Sequence, residues 1–216
     1  MLQTLLTGFG PFLSVVSNPS ERLARYFDLH PVKGHTLTTR VLPVSFREAT
    51  RLMEDAIAAG GAEGLPFDIV LMLGVASNRP YWSVERLGRN QSTTSVMDCD
   101  NRRWSDRIIV SEAPPILPVT FPVADLLSAL VDTRLPAVAS DSAGDYLCNH
   151  VLYWTLQHLQ AERHGARAGF LHIPADDATF APDDAQRSTF TFEQHCTAVR
   201  AVLESLAVPV GDHVDL

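Results

Sequence analysis

The chain has 216 residues, 46% of them hydrophobic, and a formal net charge of −8. That apolar content over that length is enough to bury one large core, so a single domain over 1–216 is expected. No run of Lys or Arg exceeds two, which leaves no electrostatic footprint for nucleic acid or an anionic membrane, and no apolar stretch approaches the roughly 18 residues of a membrane-spanning helix.

A small molecule or peptide is therefore the expected partner. Met1 to Phe9 lacks the basic start and small-residue cleavage site of a secretory signal, and the three cysteines (Cys99, Cys148 and Cys196) form no CxxC pair. A reducing, cytoplasmic setting follows as the expectation.

In chain order, Leu2 to Thr7 reads as a first strand, and Gly8-Phe-Gly-Pro11 as a tight loop exposing Phe9 and Phe12. Asn18-Pro-Ser-Glu21 starts a helix, with Asn18 as cap, Pro19 at the first helical position and Glu21 where a capping box wants its carboxylate. Leu37 to Val44 alternates as a strand does, and Ser45-Phe-Arg-Glu48 opens a second helix with Phe46, Ala49, Leu52, Met53 and Ile57 on its apolar side. Phe67 to Leu73 is a nearly continuous apolar run, as in a strand covered on both faces.

A loop through Arg79 leads to a strand or hairpin around Trp82 to Leu87, then to a polar stretch from Arg89 to Arg107 without periodicity. Ile108 to Val110, Ala137 to Ala139 and Ala168 to Ile173 are further strand candidates, and helices are expected near Val123 to Val131, Leu147 to Glu162 and Phe192 to Leu206. Alternating strands and helices predict an α/β three-layer sandwich with a mostly parallel twisted sheet, whose ligands gather outside the carboxyl ends of the strands.

Ser142-Ala-Gly-Asp-Tyr-Leu-Cys148-Asn-His150 is the segment with most chemistry in it. Val151, Leu152, Thr155 and Leu159 follow at helical spacing, so the Cys148 thiol falls in or just before a first helical turn, at the positive end of the dipole. There a thiol pKa of about 8.5 is expected to fall by one unit or more.

Glu85 and His172, each at a strand end, supply the carboxylate and the base that such a nucleophile needs. Each residue also has a plainer reading: a buried thiol for Cys148, a core histidine for His172, a solvated pair with Arg86 for Glu85. Asp98-Cys-Asp100, Asp176-Asp177 and His195-Cys196 lack metal-site spacing, Gly8-Phe-Gly-Pro11 is too short for a dinucleotide loop, and no G-x-S-x-G elbow is present. No metal and no cofactor are expected.

Four motifs in order resemble the pyroglutamyl peptidase I, or pyrrolidone-carboxylate peptidase, family of cysteine peptidases. They are Thr7-Gly-Phe-Gly-Pro-Phe12 with Asn18-Pro-Ser20, then Glu85-Arg-Leu-Gly-Arg-Asn90, then Ala143 to His150, then Gly169 to Pro174. The resemblance implies removal of an N-terminal 5-oxoproline from a blocked peptide, with Cys148 as nucleophile, His172 as base and then acid, and Glu85 as orienter. It places Phe9 and Phe12 against the lactam ring, with Tyr146 and Leu147 as a further wall, and implies a homo-oligomer, tetrameric in the family.

The departures from the family pattern fall in the binding region. Val75 stands where the family has glutamine, Leu13-Ser14 where it has two glycines, Val44 where threonine is common, and Ser95 in place of an arginine linked to the oxyanion, for which Arg89 or Arg102 are stand-ins. Two other readings stay open: a non-catalytic peptide- or lactam-binding protein that keeps the triad, and a thiol hydrolase for another small amide.

Overall fold

A computed structural model describes residues 1–104, 108–181 and 190–208. Its elements in chain order are β1 (Leu2–Phe9), α1 (Pro19–Leu29), β2 (His35–Leu42), α2 (Phe46–Ala59), β3 (Ile69–Val75), β4 (Trp82–Glu85), β5 (Leu87–Arg89), β6 (Ile116–Pro118), α3 (Val123–Asp132), β7 (Ala137–Ser140), α4 (Leu147–Ala161), β8 (Arg167–Ile173) and α5 (Phe192–Leu206).

The main sheet runs β2-β1-β3-β8-β4-β7. Its pairs are parallel except β4 with β8, where Ser83 stands opposite His172 and Val84 opposite Leu171. The apolar run of β3 is buried at every position because both faces are covered. Ile69, Leu71, Leu73 and Val75 join the core beneath α1, α3 and α5, while Val70 and Met72 join the one beneath α2 and α4. Strand β8 divides in the same way, Leu171 and Ile173 on the first side and Ala168 and Phe170 on the second, so His172 faces the layer that carries Cys148. The three-layer architecture is the one the alternating pattern predicts.

Helix starts follow the cap chemistry with one difference. Asn18 caps α1 by accepting from the Ser20 N–H at 3.0 Å, but Glu21 pairs with Arg25 at 2.9 Å and closes no capping box. Ser45 caps α2, and the Asp98 carboxylate accepts from the Phe46 N–H at 3.1 Å. The tight Gly8 position lets α1 abut β1: a Cβ there would lie 2.0 Å from the Ser20 carbonyl oxygen.

Other expectations are corrected. Ile108 to Val110 is not a strand, because the Ile109 and Val110 N–H groups both bond the Asn90 side-chain oxygen at 2.9 Å. The pairing element lies later, at β6 with β5, and Trp82 to Leu87 is no hairpin: β4 and β5 join different sheets on either side of Arg86. Strand β2 begins at His35 and ends at Leu42, two residues earlier at each end than its alternation suggests. Of the polar 89–107 stretch, residues 105–107 lie outside the described residues. Its earlier part covers α4, which is why that helix is buried around most of its girth rather than along one stripe.

Candidate active site

Cys148 is the second residue of α4, where the loop after β7 turns through Gly144 at φ +83° and enters the helix at Tyr146. Its sulfur sits against β3: a Cβ built on Gly74 would lie 2.9 Å from Cys148 Sγ and 2.7 Å from the Phe170 ring. Gly74 is the register partner of His172 on β8. A glycine is needed at this crossing because any side chain would push the thiol away from the neighbouring strand.

His172 Nδ1 lies 2.7 Å from Glu85 Oε1, and both side chains are nearly sealed from solvent, His172 at 5% and Glu85 at 0% exposure. The solvated-pair reading of Glu85 with Arg86 is overturned, since Arg86 reaches out to Asp141 at 2.6 Å while Glu85 turns inward. Burial alone would raise the Glu85 carboxyl, but the hydrogen bond and charge of His172, with Ser140 and Arg79 adding, hold it below its ordinary value.

The thiol behaves contrary to expectation. Burial pushes Cys148 up to about 12, the Glu85 charge adds to this, and Arg79 and the local N–H oppose it. Helix-start placement is as expected, yet desolvation and a nearby carboxylate outweigh the dipole. Among the described residues no hydrogen bond joins Cys148 to His172, whose Nδ1 is engaged by Glu85.

A narrow apolar cleft opens beside the thiol, lined by Phe9, Phe12, Asn18, Val44, Val75, Tyr146, Leu147 and Cys148. All five residues expected to bind substrate are therefore gathered with the thiol. His172 and Glu85 are not among the walls. The free room is ≈ 20 Å³, close to that of a single water. Asn18, missed as a wall by its reading as a helix cap, spends its amide on Gly10 O at 2.9 Å and its oxygen on Ser20, which leaves the walls without a free side-chain amide.

The neighbours of Cys148 brace the site. Asn149 donates to Arg89 O at 2.9 Å and Gln91 O at 2.8 Å and accepts from the Arg89 N–H, pinning β5 against α4. His150 packs between Phe46 and Trp104, with ring centroids 5.1 and 4.5 Å away. Tyr146 donates to Met97 O at 2.9 Å. Of the expected oxyanion stand-ins, Arg89 bonds Asp141 O at 3.1 Å and Arg102 is exposed on the Asp98 loop, so neither lies in the cleft.

Arg79 was passed over as part of a loop. It bonds Glu85 Oε1 at 2.9 Å, Ser83 Oγ at 3.1 Å and Ser142 O at 2.9 Å. Among the described residues no cluster of three metal-ligating side chains occurs, and no helix is long and apolar enough to cross a membrane.

A helix-start cysteine beside a histidine bonded to a buried carboxylate is the arrangement of an α/β thiol hydrolase. The chain belongs to the pyroglutamyl peptidase family of cysteine-type peptidases, whose model matches residues 2–208. It is 32% identical to the pyrrolidone-carboxylate peptidase of Thermococcus litoralis over 100% of this chain and 94% of that protein. It is 35% identical to that of Klebsiella pneumoniae over 100% of this chain and 96% of the relative. The solved pyrrolidone carboxyl peptidase of Thermococcus litoralis superposes with a TM-score of 0.85 at 32% identity, over 95% of this chain and 93% of that one. The Fervidobacterium islandicum enzyme gives a TM-score of 0.88 at 28% identity, over 95% and 98%.

Proposed function

We propose that this protein is a cysteine exopeptidase that hydrolyses the amide bond after an N-terminal 5-oxoprolyl residue. The observation that carries the reading is the 2.7 Å contact of His172 with Glu85, one strand away from a thiol seated at the start of α4. An ionised carboxylate only accepts, so Nδ1 holds the proton and Nε2 is left as the basic nitrogen. His172 takes the Cys148 proton as sulfur attacks the carbonyl carbon, then returns it to the leaving amine as the C–N bond breaks. Water, deprotonated by the same imidazole, hydrolyses the thioester and frees 5-oxoproline.

The first turn of α4 has no side-chain cap, unlike α1, α2 and α5, so its N–H groups near Cys148 are available to a developing oxyanion. The walls bear no charge, which suits a neutral lactam and offers nothing to a free ammonium group. Ring entry displaces the Phe12 side of the cleft, a short bridge in which Phe12 and Val15 exchange bonds of 3.1 and 2.8 Å. Three free cysteines suit a reducing cytoplasm, and the partner is a blocked peptide.

The absence of a free side-chain amide in the walls, with Val75 among them, favours one second reading: the same chemistry on another small, apolar amide. Mass spectrometry of peptides that differ only in their first residue separates the two. The proposal expects the pyroglutamyl peptide to lose one residue and gain a free amino terminus while unblocked peptides stay intact. Cleavage confined to a different acyl group would replace it with the second reading.

A further inference from the structure

Burying Glu85 as an anion costs far more than one neutral histidine returns, so its other partner matters. Arg79 is that partner. Its backbone is fixed by the tight turn that leaves β3, with its N–H bonded to Ala76 O at 2.9 Å. Its Nη1 meets the same carboxylate oxygen, Oε1, that His172 uses, and also Ser83, while Nη2 holds the Ser142 carbonyl in the segment that leads into α4. Three strands of chain are thus joined through one planar fork: the end of β3, the carboxylate strand β4, and the approach to the nucleophile. An ammonium on a flexible stem supplies the charge without that fork.

Resting on the peptidase reading above, we infer that Arg79 is a positioning residue for Cys148: it neutralises the Glu85 carboxylate beside the thiol and fixes the Ser142–Tyr146 approach that sets the sulfur against Gly74. The electrostatics agree in direction, since Glu85 disfavours the thiolate and Arg79 favours it. Arg79 is absent from the walls of the cleft, so its loss acts on turnover rather than on binding.

The test is the pH dependence of Cys148 alkylation by iodoacetamide, followed site by site by mass spectrometry because Cys99 is exposed and Cys196 half-buried, together with steady-state kinetics on a pyroglutamyl amide. Arg79→Gln is expected to raise the alkylation midpoint by about one pH unit and lower kcat by about tenfold or more, with KM changed less than about threefold. Arg79→Lys is expected to keep the midpoint near that of wild type while kcat stays several-fold low. The double variant Arg79→Gln/Glu85→Gln is expected to be no slower than Glu85→Gln alone, because the two residues act as one unit.

A folded Arg79→Gln protein with wild-type kcat and midpoint overturns the inference. If Arg79→Gln does not fold, wild-type kcat in Arg79→Lys overturns it instead. Folded wild type that does not turn over the pyroglutamyl amide at all removes the peptidase reading and this inference together. A reactive wild type with unaffected Arg79 variants removes the inference alone.

Discussion

Glu85 and His172 meet diagonally across the antiparallel seam of an otherwise parallel sheet. Because β4 runs against β8 and Ser83 stands opposite His172, Glu85 projects from the same face two residues along, and the carboxylate reaches Nδ1 at 2.7 Å.

Glu85→Gln tests that seam. The amide offers a donor as well as an acceptor, so the ring tautomer is no longer enforced. We expect kcat to fall roughly a thousandfold with KM nearly unchanged, as for other orienting carboxylates. Full activity in a folded variant would remove Glu85 from the mechanism.

Gly74→Ala should disable the enzyme without touching any reacting group. The added methyl meets the Phe170 ring at 2.7 Å and Cys148 Sγ at 2.9 Å, so either ring or thiol must shift. A displacement of about 1 Å is enough to cost on the order of a hundredfold in rate. Iodoacetamide labelling should slow in parallel, and an unaltered labelling rate together with normal turnover would contradict the packing described.

Acid should weaken the fold through two buried histidines. Burial pushes His150 down to about 4 and, against the pull of Asp176, does the same to His195. The unfolded chain takes up these protons near pH 6.5, so between pH 6.5 and 4 it binds more of them than the folded chain and stability falls as pH drops. Glu85, held below its ordinary value of 4.5, adds to the loss only at lower pH, once the unfolded carboxyl begins to take up its proton. The loss is of order 2 kcal/mol per histidine at pH 5. Denaturant titrations at pH 7 and 5 should show it, with a smaller gap in His195→Leu; equal midpoints at both pH values would refute this.

Phe12→Ala tests the cleft. Phe12 is half-buried at the mouth and faces the thiol-bearing wall across the narrow room. Losing this aromatic face should raise KM for a pyroglutamyl amide about tenfold and leave the Cys148 alkylation rate intact. An unchanged KM would place the ring elsewhere.

The layers were legible because β3 is apolar without interruption, β8 is mostly so, and the helices announce themselves by Asn18 and Ser45 caps. Cys148, His172 and Glu85 stand out in the sequence as candidates because each sits in a short motif at an element end. Four things were not legible. The direction of β4 depends on long-range pairing that no local pattern encodes, and β6 is only three residues long. The thiol pKa was read from the helix dipole alone, whereas its sign is set by burial under β3 and by Glu85, neither visible before folding. Arg79 carries no local signature at all: its role exists only because a turn after β3 brings it between Glu85 and Ser142.

Dye release from a pyroglutamyl aminocoumarin by folded wild type and by Cys148→Ala at equal concentration decides whether this thiol is the nucleophile. Wild type is expected to turn over steadily, iodoacetamide to abolish this, and the variant to lose at least about a thousandfold. Turnover that survives in Cys148→Ala, or none in wild type, would contradict that role.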